Sequence, residues 1–109
     1  MTSLSSYGVV LVTASSQQEA AAIAQALVTQ KLAACVNVFP IHSIYTWDGG
    51  VQQDDEWQLM IKTTMDRWDE LVQAIQQLHS YEVPELIALP IVQGSSAYLS
   101  WMSSMTTPT

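Results

Sequence analysis

The sequence predicts an α+β domain of the ferredoxin-like kind: βαββαβ, an antiparallel sheet with both long helices on one face, and a short extra C-terminal helix. Three observations predict it. Apolar periodicity alternates between the strand and helix repeats in the order strand, helix, strand, strand, helix, strand. A strong turn signal, Asp48-Gly49-Gly50, falls between the two middle strands. At 109 residues and 49% hydrophobic, the chain has the material for one core, so residues 1–109 read as a single domain, ordered over about 7–104.

Each element has its own signal. Tyr7 to Ala14 is apolar on both alternating faces, which suits a strand covered on two sides. Ser16-Gln-Gln-Glu19 has capping-box spacing, and Ala20, Ile23, Ala24 and Leu27 follow as one helical stripe to about Gln30. Ala33 to Phe39 is β-prone and is expected to stop at Pro40. Ile44 to Trp47 continues extended, turns at Asp48-Gly49, and returns as Val51 to Lys62. Trp57, Leu59 and Ile61 share one face of that return, with Glu56, Gln58, Met60 and Lys62 on the other. A second helix after Thr63-Thr64 carries the stripe Trp68, Leu71, Val72, Ile75 and Leu78, with Asp66, Asp69 and Glu70 suiting its N-terminal end. Beyond Pro84, Leu86 to Val92 reads as a last apolar strand. Ser95 or Ser96 then caps a short helix bearing Tyr98, Leu99, Trp101 and Met102. The Ser/Thr-rich ends, Met1 to Ser6 and Ser103 to Thr109, are expected to be loose.

This pattern leaves one sheet face poorly covered. Two helices clothe one side, yet the outer strands look apolar on both. With four Trp, four Tyr and few charges, the chain is expected to form a homo-oligomer that packs sheet faces or edges together.

Composition excludes several functions. Three basic residues against ten acidic ones, net charge −7, cannot neutralise a run of phosphates, so no nucleic acid is expected as a partner. No apolar run is long enough to cross a bilayer, and the start has no signal-peptide pattern, so the expectation is a cytoplasmic domain with no membrane partner. One cysteine, Cys35, excludes a disulfide scaffold and a Cys-x-x-Cys metal chaperone. Between Ala34 and Val36 it reads as a small buried thiol. No nucleophile elbow or phosphate-binding loop is present, and Arg67 reads as part of an ordinary amphipathic helix, so the protein is not expected to be an enzyme.

What chemistry remains clusters in His79-Ser80-Tyr81-Glu82-Val83-Pro84-Glu85. An imidazole at a helix end and a carboxylate before the last strand are a candidate metal pair, His79 and Glu85, for a borderline ion such as Cu²⁺ or Zn²⁺. The plainer readings are a dipole-favoured helix-end histidine and an ion pair from Glu85 to Lys62. Asp54-Asp55-Glu56 offers charge to a hard cation but reads first as a solvated strand start, and His42 as a loop residue without a partner.

Lys31 to Val38 (KLAACVNV), Ser43 to Gly49 (SIYTWDG), Met60 to Thr64 (MIKTT), His79 to Glu85 (HSYEVPE) and Tyr98 to Trp101 (YLSW) are collinear and resemble the CutA divalent-cation tolerance family over roughly Gly8 to Ser104. The resemblance implies a ferredoxin-like subunit in a homotrimer whose long hairpin reaches a neighbour. It also implies tolerance of copper and other divalent metals by binding, with no obligatory cofactor. The family's metal-associated positions correspond to His79 and Glu85, and its inter-subunit cleft to Tyr45, Trp47, Lys62 and Tyr81. A likeness in shape to PII signalling trimers implies an alternative, a sensor or scaffold holding a small anionic metabolite at that cleft with Lys62 supplying charge. Ser80 stands where the family commonly has proline, which is expected to loosen the turn holding His79.

Overall fold

The computed structural model describes residues 6–108; of the expected loose ends, Met1 to Ser5 and Thr109 lie outside them. Four strands and three helices follow in the order β1 (Tyr7–Ala14), α1 (Gln17–Thr29), β2 (Cys35–Trp47), β3 (Gly50–Thr64), α2 (Trp68–Leu78), β4 (Ile87–Pro90) and α3 (Ser96–Thr106). The strands form one sheet, β2-β3-β1-β4, and every neighbouring pair is antiparallel. This is the ferredoxin-like arrangement, with β1 and β3 central.

Register assigns each residue to a face. Val10, Val12 and Ala14 of β1 lie opposite Ile61, Leu59 and Trp57 of β3, on the helix side. Those residues pack with Ala20, Ile23 and Leu27 of α1 and Leu71 and Ile75 of α2 into one buried cluster. The predicted face of β3 is therefore the core face. Burying each large aliphatic side chain there contributes about 1.5–3 kcal/mol.

The opposite parity forms the other face: Val9 and Leu11 of β1, Met60 of β3, Phe39 and Ile41 of β2, and Ile87 and Leu89 of β4. Ile87 and Leu89 are 50% and 48% exposed. Of the three helices described, α3 packs on this side. Tyr7 Oη and Ser103 Oγ are 2.8 Å apart, Thr64 Oγ1 and Thr106 Oγ1 are 3.0 Å apart, and Met102 is fully buried. The helix covers one end of the face and leaves an apolar strip open.

Four boundaries differ from expectation. β2 runs through Pro40, because β2 is an edge strand and a missing N–H is tolerated on its open side. The last strand shrinks to Ile87–Pro90 and is exposed throughout, since it pairs only with β1. Ser103 to Thr106 belong to α3, whose N-cap Ser95 Oγ accepts the Tyr98 N–H at 3.2 Å. Leu78, expected in the α2 stripe, is exposed, and the buried position goes to His79 just past the helix.

Arg67 also departs from its reading as an ordinary helix residue. It sits buried in the 3₁₀ turn before α2, donating from Nε to the Lys31 carbonyl (3.3 Å) and from Nη1 to Glu70 (2.8 Å). Lys31 has φ 61°, and this bond helps hold its left-handed backbone between α1 and β2.

The β2–β3 hairpin turns at Asp48 (φ 52°) and Gly49 (φ 77°), a two-residue turn of the kind whose twist matches the strands. β1 meets β3 only from Trp57 onward, so the pairs from Ile41–Glu56 to Trp47–Gly50 form a two-stranded arm beyond the sheet. Such an arm is marginal on its own in water and depends on what it packs against.

Leu59 lies at the centre of the core cluster with no exposed surface. Leu59→Ala is expected to lower the unfolding free energy by about 2–5 kcal/mol in a denaturant titration. A loss below about 1 kcal/mol would contradict the core assignment.

Candidate functional site

The arm and the loop after α2 enclose a cleft of about 670 Å³ on the open face of the sheet. Ile41, Ser43, Ile44, Tyr45 and Trp47 of β2, with Asp54, Glu56 and Gln58 of β3, form one wall. Thr13 lies at its base, and Tyr81, Glu82, Val83 and Glu85 form the other wall. The strand repeat explains the β3 contribution: Asp54, Glu56 and Gln58 alternate onto one face, and Asp55 points to the other. There Asp55 Oδ1 lies 2.9 Å from His42 Nδ1, and Gln53 Oε1 is 3.0 Å from His42 Nε2. His42 is thus a strand residue with two partners, contrary to its reading as an unpartnered loop residue. Those bonds, first from Gln53 and then Asp55, raise its pKa above the usual histidine value.

Tyr81 is set by a chain of hydrogen bonds that begins in the core. The His79 side chain has no exposed surface, and its Nε2 donates to the Thr13 carbonyl at 2.6 Å. Its Nδ1 accepts the Tyr81 N–H at 3.0 Å and lies 3.8 Å from Glu19 Oε2. The two rings stack at 4.7 Å. The Tyr81 hydroxyl then donates to Glu56 Oε2 at 2.8 Å, tying the loop to the arm. Burial, followed by that bond, pushes the Tyr81 phenol well above the usual range, so it remains a donor at neutral pH. The Tyr45 hydroxyl donates to Asp54, and this bond raises the Tyr45 pKa too.

Glu19 secures the loop from α1. Its Oε1 accepts from the Ser15 N–H (3.2 Å) and hydroxyl (3.0 Å), one residue before the cap that capping-box spacing predicts, while Ser16 Oγ caps Glu19's own N–H at 3.1 Å. Its Oε2 accepts the Ser80 N–H at 2.7 Å. A proline at position 80 would have no N–H to give to this bond. Burial works to raise the Glu19 pKa, but the bonds from Ser80 and Ser15 outweigh it and hold the carboxyl at about 2.

Of the residues predicted for the site, Tyr45, Trp47, Tyr81 and Glu85 meet in the cleft. Two do not line it. Lys62 is half-buried farther along β3, opposite Cys35 and Val9, and among the described residues it makes no ion pair with Glu85. His79 has both ring nitrogens engaged inside the chain, so ligation would cost it a buried hydrogen bond. Its position makes it a brace for Tyr81. Cys35, read as buried, is half-buried. The sequence reading treated Asp54 and Glu56 as solvated and gave Glu82 and Val83 no role of their own; the strand alternation marked Glu56 and Gln58 as face-mates, but nothing local showed that a loop would close over them. Among the described residues no three His, Cys, Asp or Glu side chains cluster as a metal site. No helix among them is long and apolar enough to cross a membrane.

Residues 8–105 match the family model of the CutA1 divalent ion tolerance protein. The chain belongs to the CutA1 family. It is 46% identical over 99 residues to the divalent-cation tolerance protein CutA of Thermus thermophilus, covering 90% of this chain and 96% of that one. It is 44% identical over 99 residues to the chloroplastic CutA of Arabidopsis thaliana, of which it spans 54%. The solved periplasmic divalent cation tolerance protein CutA of Archaeoglobus fulgidus superposes with a TM-score of 0.91 at 35% identity, covering 93% of this chain and 99% of that one. The family resemblance and the α+β fold read from the sequence therefore hold, and CutA1 divalent-cation tolerance is the function class of this chain.

The depressed Glu19 pKa sets a pH dependence. Its folded value, about 2, lies below the roughly 4.3 of an unfolded glutamate, so its contribution to stability is complete above that value and fades as pH falls toward 2. Chemical denaturation from pH 5 to 2 is expected to show this loss in the native chain and a flatter profile in Glu19→Gln. Identical slopes would refute the assignment.

Proposed function

We propose that this CutA1 chain is a cytoplasmic homotrimer that binds divalent metal weakly, copper foremost, and contributes to tolerance without catalysing a reaction. The observation that carries the metal reading is the charge of the cleft. Asp54, Glu56, Glu82 and Glu85 line it, and no lysine, arginine or histidine is among its lining residues. That charge attracts cations and repels a small anionic metabolite, so the anion-sensor alternative loses its basis along with Lys62.

Glu85 is the proposed donor, exposed on the cleft wall and held by no hydrogen bond from the other described residues. Oxygen donors alone make a weak site. Cu²⁺ leads Zn²⁺ on such ligands by the Irving–Williams order. Water or a neighbouring subunit would complete the shell. The trimer reading is supported by the apolar strip left open beside the cleft and by an arm that a lone chain barely supports. A reducing compartment suits the free thiol of Cys35.

Calorimetric titration tests the metal reading. Cu²⁺ is expected to bind more tightly than Zn²⁺, and Glu85→Gln to weaken Cu²⁺ by about tenfold, the loss of one charged donor. His79→Ala is expected to keep Cu²⁺ affinity within about twofold while lowering the melting midpoint, since it removes two buried hydrogen bonds. Unchanged affinity in Glu85→Gln would overturn the donor assignment, and abolished affinity in His79→Ala would restore the imidazole as a ligand.

A further inference from the structure

We draw no further inference here: the strongest candidate, the groove on the helix face where buried Arg67 meets Gln30, Gln73 and Gln77, carries nothing, because its guanidinium is already held by Glu70 and the Lys31 carbonyl and no second observation among the described residues points to a ligand.

Discussion

A central strand that is apolar on both faces requires two covers. β1 is that strand: Val10, Val12 and Ala14 point to α1 and α2, and Val9 and Leu11 point the other way. The helices satisfy the first demand completely. The second is met only at one end by α3, and Ile87, Leu89 and Phe39 stay exposed beside it. Leaving that surface wet forfeits transfer free energy of about 25 cal/mol for each Å². The remaining architecture follows from this imbalance. The open face carries the cleft, the arm overhangs it, and the loop after α2 closes the cleft from the other side.

The cleft depends in turn on a buried polar path. Thr13's carbonyl holds the His79 ring, the ring receives the Tyr81 N–H, and the Tyr81 hydroxyl reaches Glu56 on the arm. Glu19 pins the neighbouring Ser80 from α1. Each link satisfies a group whose burial alone would be unfavourable, so the path acts as a unit and positions one aromatic wall against one acidic wall. His79 matters by direction and support. The charge that faces a ligand comes from residues it helps to place.

Much of this was legible in the residues. The order of elements, the Asp48-Gly49 turn, the Ser16 and Ser95 caps and the core face of β3 all follow from local pattern, because each is decided by neighbours within a few positions. The uncovered sheet face was legible too, from β1 being apolar on both alternating faces. Other features depend on distant partners and were not. Pro40 continues a strand because β2 lies at an edge, a fact of sheet order. Glu56 looks solvated in Asp54-Asp55-Glu56 until Tyr81, 25 positions away, closes over it. His79 looks like an available ligand until Thr13, 66 positions earlier, takes its Nε2. Tyr45, Trp47, Tyr81 and Glu85 came from the family resemblance and do meet in the cleft, whereas Lys62, from the same source, does not line it in the single chain.

The proposed trimer seals the open sheet face with other copies of the chain, and its most direct test is mass in solution. Static light scattering of the intact protein across micromolar concentrations is predicted to give a particle of roughly three times the 12.0 kDa chain. A stable, well-behaved particle at the mass of one chain would contradict it, because the apolar strip would then persist in water without a partner.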